Sequence, residues 1–395
     1  MTTIKRVSTI VSINQNGDVN PNLPEGTLPL YRFAKRDTPQ KVSGSALVIS
    51  NHANSAPDSP RSEEETTCLD DLIFQEWIDR EKKGLFRYRV ADCKNKVLEG
   101  DSGFIAQLNE GRHLKKRATE FRIDEVLQPY DPKKFNFTKV DAREILFAFE
   151  ENDDNSTEFL ENGPIGESPN LVVINVSPID FGHVLLVPKY KSQLPQRIDK
   201  ESLLLALHMA VDVNNPHFRL GYNSLGAFAS LNHLHFQAYY LFDTLPIERA
   251  RTSRIFESRK AGGLKISELV DYPVKVIMYE VGESLKELAD VVGEACIKLQ
   301  TNNLPFNLLI SYCGSRVFLI PQCYAEKQAR GEVDQAFLDT EVNPAAWEIS
   351  GHIVLKHRED FHAATEESVK NLLAQVSLSE SHFSEVKTMC CAGLR

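Results

Sequence analysis

Apolar positions along the chain gather into short runs of strand length, interrupted by two longer stretches of helical spacing. From Leu171 the pattern reads strand, turn, strand: Leu-Val-Val-Ile-Asn-Val, then Ser-Pro-Ile-Asp-Phe-Gly, then His-Val-Leu-Leu-Val-Pro. Pro178 and Gly182 punctuate the turn. Residues 200–213 predict a buried helix and residues 231–241 a strand. Further strands are predicted at 274–280, 306–311, 317–321 and 351–356, with a long helix over 284–300 between the first two. Nearer the N-terminus, Leu72, Ile73, Trp77 and Ile78 predict a helix that Gly84 stops, and residues 141–150 predict a second, short one. A closing helix is predicted to begin near Glu366. Residues 13–67 are rich in Asn, Pro, Ser and Glu and poor in apolar runs, so loops or partial disorder are expected there. Mixed helices and strands with hairpin-like pairs predict an α+β protein. The expected organisation is an N-terminal segment (1–67), a core (68–361) and a C-terminal helix and tail (362–395). An echo between 182–188 (GHVLLVP) and 315–321 (SRVFLIP) suggests that the core consists of two related halves, about 68–245 and 270–361.

Composition narrows the function classes. The 395 residues carry a formal net charge of −10, the opposite of a dedicated nucleic-acid binder's electrostatic footprint. An anionic substrate would therefore need a local basic pocket. No apolar run is long enough to span a bilayer, and Met-Thr-Thr-Ile-Lys-Arg lacks the pattern of a secretory signal. Seven cysteines with no Cys-x-x-Cys pair fit a reducing compartment, so a cytoplasmic protein is expected. No P-loop, G-x-G-x-x-G after a strand, H-E-x-x-H or G-x-S-x-G is present.

The strongest chemical signal is His233-Leu234-His235-Phe236-Gln237. On a strand, His233, His235 and Gln237 would share one face, with Leu234 and Phe236 turned to the core. The same pattern would suit a pair of buried structural histidines, or a zinc site whose remaining ligands the sequence does not identify. His183 opens a buried strand, where a structural role is the simpler reading. Asn175 and Asn223 sit where asparagine commonly stabilises a turn. Arg112, Lys115, Lys116 and Arg117 concentrate positive charge, as either a solvated loop or a phosphate clamp. Lys115-Lys116-Arg117 is also a weak nuclear-import signal, which leaves a nuclear location open.

Taken together, Asn175-x-Ser-Pro, Gly182-His183-x-Leu-x-x-Pro188 and Ser230-x-x-His233-x-His235-x-Gln237 resemble the histidine-triad superfamily. The resemblance is strongest to its galactose-1-phosphate uridylyltransferase branch, where glutamine replaces the third histidine. Longer stretches, among them GLFRY, AQLNEGRHLKKR, INVSPIDFGHVLLVP, FRLGYNSLGAF, NHLHFQAYYL and NPAAWEISGHIVLK, are similar to a plant family of GDP-L-galactose phosphorylases, over about residues 84–361. The resemblance implies a histidine-triad-like fold of two related halves, with antiparallel sheets and packed helices. It implies that GDP-L-galactose and inorganic phosphate become L-galactose 1-phosphate and GDP, in ascorbate synthesis, without a cofactor. By the same carry-over His235 is the nucleophile, holding GMP covalently, and His233 steadies its strand. Ser230, Asn223 and Gln237 would contact the α-phosphate, Asn175 and His183 would support the nucleotide, and Arg112 to Arg117 would meet another phosphate. The uridylyltransferase branch has a structural zinc held with a Cys-x-x-Cys pair. That pair is missing here, so no metal is expected. Histidine-triad folds often dimerise, which leaves room for a homodimer.

Neutral imidazole is a good nucleophile toward phosphorus, and its phosphoramidate is labile. The alternatives are a GDP-D-glucose phosphorylase, a dinucleoside polyphosphate phosphorylase, a regulator that binds GDP-sugars without turnover, and a zinc hydrolase.

Overall fold

A computed structural model of the chain describes residues 26–35, 67–113, 124–154, 156–258 and 263–394. Among these residues the strands are β1 (Thr27–Ala34), β2 (Lys94–Val97), β3 (Ile105–Leu108), β4 (Ile145–Asn152), β5 (Glu158–Pro164), β6 (Leu171–Ile174), β7 (Val184–Val187), β8 (Phe218–Asn223), β9 (Phe236–Tyr240), β10 (Arg251–Glu257), β11 (Lys265–Val270), β12 (Ile277–Glu280), β13 (Phe306–Ser311), β14 (Arg316–Pro321) and β15 (His352–Leu355). Twelve of them form one sheet, in the order β10, β11, β12, β14, β13, β8, β9, β7, β6, β4, β1, β5. All neighbours in it are antiparallel except β1 and β4. A smaller sheet pairs β15, β3 and β2.

The helices that matter for the site are α1 (Cys68–Lys82), α2 (Lys200–Val213), α3 (Leu285–Thr301), α4 (Ala346–Ser350), α5 (Glu366–Ala374) and α6 (Glu380–Cys391). Helix α2 begins where Asp199 accepts the Ser202 N–H at 2.7 Å, and ends at Asn214, whose φ of 47° breaks the helix. In α3, Leu285, Leu288, Ala289, Val292, Cys296 and Leu299 recur at helical spacing and are all buried against α2 and the sheet. No described helix is long and apolar enough to cross a membrane.

Apart from β5, which is inserted between β4 and β6, the connectivity strand–strand–strand–helix–strand–strand occurs twice, first as β4, β6, β7, α2, β8, β9 and then as β10, β11, β12, α3, β13, β14. The two copies order their strands alike and meet edge to edge where β8 pairs β13, with Gly221 opposite Leu309. The counterpart of β7 is therefore β12. The echo between 182–188 and 315–321 matches β7 to β14, a strand in a different place, so it is not the trace of the repeat.

Three other expectations change. Within 13–67, residues 27–34 are a strand: Leu28, Leu30, Tyr31 and Phe33 are buried and β1 pairs with both β4 and β5. Most of the rest of 13–67 lies outside the described residues. Residues 141–150 hold one 3-10 turn (Ala142–Glu144) followed by β4, not a helix. The run Ile145 to Phe149 is wholly buried, and a strand covered on both faces shows no alternation to distinguish it from a helix. Residues 362–395 are no simple tail, because α6 follows α5 and buries Phe383, Val386 and Cys390 in the same core as α3.

On the face opposite α2 and α3, the small sheet and α4 cover a second core. Gly221 permits this approach: a Cβ there would lie 3.1 Å from the Trp347 ring and 3.3 Å from Ala346 Cβ. Where the first copy hands over to the second, Arg219 on β8 makes a two-pronged pair with Glu248, at 2.8 and 2.9 Å. Both side chains are buried, and the guanidinium also donates to the carbonyls of His217, Leu241 and Asp243. Replacing Glu248 by Ala strands a buried charge, so it is expected to cost about 3–5 kcal/mol. A shift of the urea midpoint without change in slope measures it.

Candidate active site

One cleft opens on the α4 face of the large sheet, beside the seam between the copies. Its floor is a rung of the sheet: Val173 on β6 pairs with Leu185 on β7, Leu185 with Gln237 on β9, and Gln237 with Gly221 on β8. Phe135, Phe137 and Val140 add apolar wall at the β6 end. Asn175, Asn223, Ser230, His235 and Gln237 supply polar groups, and Arg87, Arg112 and Lys356 supply positive charge.

The predicted strand over 231–241 starts only at Phe236, so both histidines precede it on irregular chain. That departure from the sheet has a chemical effect. Freed from pairing, the His233 carbonyl lies 2.8 Å from Nδ1 of His235. A carbonyl can only accept, so Nδ1 holds the ring proton and Nε2 is left with its lone pair. The backbone of His235 is held in turn by Gln196, whose Oε1 accepts the His235 N–H at 3.0 Å. Nε2 of Gln196 donates to the carbonyls of Asn223 (2.9 Å) and His235 (3.2 Å). Burial pushes the His235 pKa down to about 4, against the opposing pull of the carbonyl bond, so the imidazole is neutral at pH 7.

His233 does not line the cleft. Its ring is fully buried, touches Tyr130 and Phe137, and accepts the Phe137 N–H at Nδ1 (3.0 Å). The expected three-residue floor therefore reduces to His235 and Gln237. His233 instead anchors the Phe137 wall and supplies the carbonyl. Burial, with His235 beside it, holds its pKa at about 3.

His183 is also behind the surface. The Ile179 N–H donates to its Nδ1 at 2.8 Å, which leaves the ring proton on Nε2. Asn175 Nδ2, 3.1 Å from that Nε2, is then a contact between two donors. Burial holds the imidazole pKa well below its usual value, opposed in part by the neighbouring Gln237 side chain. Gln237 Oε1 faces the Trp347 indole N–H at 3.4 Å. An indole can only donate, so Oε1 is occupied and the Gln237 NH2 faces the cleft. Asn175 accepts from Ser177 N at 3.0 Å, as its turn position foretold, and still lines the cleft.

Arg112 reaches the cleft while donating to the Ser177 carbonyl, whereas Lys115, Lys116 and Arg117 lie outside the described residues. Ser230 and Asn223 both line it. Sequence reasoning missed Arg87, Lys356, Glu144 and Trp347, although all but Glu144 stood in stretches that carried the resemblance. Among the described residues no three His, Cys, Asp or Glu side chains gather as ligands around a metal would.

Comparison with known proteins agrees with this architecture. The yeast Ap4A phosphorylase Apa2, in its complex with Ap4A, superposes with a TM-score of 0.53 at 15% identity, covering 79% of this chain and 98% of that one, which is a likeness of fold. GDP-L-galactose phosphorylases 1 and 2 of Arabidopsis thaliana are 52% and 58% identical, each covering 98% of this chain and 88% and 89% of their own length. The human GDP-D-glucose phosphorylase 1 is 32% identical over 93% of this chain and 92% of its own. Two family models, GDPGP1-like N-terminal domain and GDPGP1-like C-terminal domain, match residues 68–239 and 246–395. With both domains present in order, and relatives above half identity along nearly its whole length, the chain belongs to the GDPGP1-like family.

Proposed function

We propose that this protein is a GDP-L-galactose phosphorylase, an enzyme that moves GMP from GDP-L-galactose to inorganic phosphate and so feeds ascorbate synthesis. The observation that carries the chemistry is the fixed tautomer of His235: a neutral imidazole, proton on Nδ1, lone pair on Nε2, in a cleft with phosphate-type donors. The substrate follows the relatives that are 52% and 58% identical, whose names specify GDP-L-galactose.

In the first half-reaction Nε2 of His235 bonds to the α-phosphorus, and the bond from that phosphorus to the bridging oxygen breaks. L-Galactose 1-phosphate leaves with the electron pair, a good leaving group that needs no proton from Gln237. The imidazole becomes cationic, and the His233 carbonyl accepting from Nδ1 stabilises that charge. In the second half-reaction a phosphate oxygen bonds to the same phosphorus, the P–N bond breaks, and GDP departs as the imidazole regains its lone pair. The NH2 of Gln237 and the donors of Asn223, Ser230 and Arg112 face the charge that develops on the α-phosphate oxygens.

The apolar end suits a purine ring. There Glu144, buried and one residue before the Ile145–Val173 pair, lines the cleft. A carboxylate offers two acceptors to the N1–H and 2-amino group of guanine, an edge where adenine lacks that pair of donors.

His235→Asn is expected to lower turnover of GDP-L-galactose at least about 10,000-fold while GDP binding stays within a few-fold. In the wild type GDP should form only with phosphate present; GMP formed equally without it would make the protein a hydrolase. GDP-D-glucose assayed alongside reads the sugar preference. Formation of the guanylylated protein should stay level from pH 8 to about pH 5 and fall only as His235 protonates near 4. Rapid-quench amplitudes with an acid limb near the ordinary imidazole value of 6.5 would contradict this. Glu144→Gln should shrink the calorimetric preference for GMP over IMP by about tenfold or more, and an unchanged ratio removes Glu144 from base recognition.

A further inference from the structure

The second copy carries no histidine in the matching place: Cys313-Gly314-Ser315 leads into β14, the counterpart of β9, which reads Arg-Val-Phe-Leu-Ile-Pro. It does carry two fully buried amides, Asn307 on β13 and Gln322 just after β14, which the chemistry above does not use. Their hydrogen bonds form one directed chain. Gln322 Nε2 donates to the Pro344 carbonyl at 3.0 Å and to Oδ1 of Asn307. Asn307 Nδ2 donates to the Ala227 carbonyl at 2.9 Å and to Oδ1 of Asn223 at 2.7 Å. The Ala346 N–H, at the start of α4, donates to the same Oδ1 at 3.0 Å.

Backbone groups fix every direction in this chain. The carbonyls of Pro344 and Ala227 can only accept, so each faces an amide nitrogen. The Ala346 N–H can only donate, so it faces the Asn223 oxygen. No amide can flip without setting donor against donor or acceptor against acceptor in a dry interior. With Oδ1 of Asn223 doubly occupied, its NH2 is turned to the cleft, beside the NH2 of Gln237 that Trp347 turns the same way.

We infer that Asn307 and Gln322 are positioning residues, through which the second copy holds the Asn223 amide with its donors toward the α-phosphate. This rests on reading the cleft as the site of GMP transfer. Asn307→Asp puts a carboxylate where a donor is needed, repelling Oδ1 of Asn223. Gln322→Met, which adds no charge, releases Asn307 while preserving volume.

The test is steady-state kinetics on the full chain with GDP-L-galactose and phosphate, for Asn223→Ala, Asn307→Asp, Gln322→Met and the double variant Asn223→Ala/Asn307→Asp, with melting temperatures as a fold check. Asn223→Ala and Asn307→Asp should each lose about 100-fold in kcat with KM for the GDP-sugar changed less than about threefold. The double variant should be no slower than Asn223→Ala alone, because both changes remove one donor. Gln322→Met should lose about tenfold in kcat, and it decides the matter if Asn307→Asp does not fold. Losses that multiply in the double variant, or that fall on KM with kcat intact, overturn the relay. A wild type that transfers no GMP overturns instead the reading of the cleft.

Discussion

The 2.8 Å bond from His235 Nδ1 to the His233 carbonyl is the constraint on which the chemistry proposed for this cleft depends, because a carbonyl has no proton to give. It exists only because the chain leaves the sheet between residues 231 and 235; in a paired strand that carbonyl would be committed to a neighbour. Around it the buried polar groups act as locks on direction. Gln196 holds the backbone of His235, His233 holds Phe137, and Trp347 holds the Gln237 amide. Low dielectric makes each lock costly to reverse, since a flipped amide or tautomer would bury an unpaired group.

Much of this was legible in the sequence, and the physical reasons separate what was from what was not. Helix α2 and the β6–β7 hairpin announce themselves through local signals, an Asp cap, a Pro–Gly turn and unbroken apolar runs. Strand β4 carries the same apolar density without a local signal, because both its faces are covered, and its identity is decided by β6 and β1. Strand β1 is marked only by four apolar residues within a polar stretch. His235 and Gln237 stood out through the alternating motif, whereas Asn223 and Asn175 could be named only through the family resemblance. That His233 turns away could not be read, since alternation presupposes a strand that has not begun there.

The residues that orient the motif were the least legible. Asn307 and Trp347 lie 84 and 110 positions from the amides they bond, and Gln322 lies 15 positions from Asn307, in surroundings that read as ordinary strand and helix ends. Nothing local distinguishes a buried asparagine that caps a turn from one that aims another amide. Only the pairing of β8 with β13, itself a consequence of the duplicated connectivity, brings Asn223 opposite Asn307. Gly221 belongs to the same class: its missing side chain matters only because α4 arrives from more than a hundred residues away.

The seam between the two copies also has a consequence for biosynthesis. A ribosome releases His235, the proposed nucleophile, well before Asn307, Gln322, Ala346 and Trp347 have been made. The nascent first copy therefore carries the complete motif with its amides unaimed. On the proposed mechanism guanylyl transfer waits for the last quarter of the chain, so a fragment ending after β9 would keep the histidine motif without the amide geometry that the second copy sets.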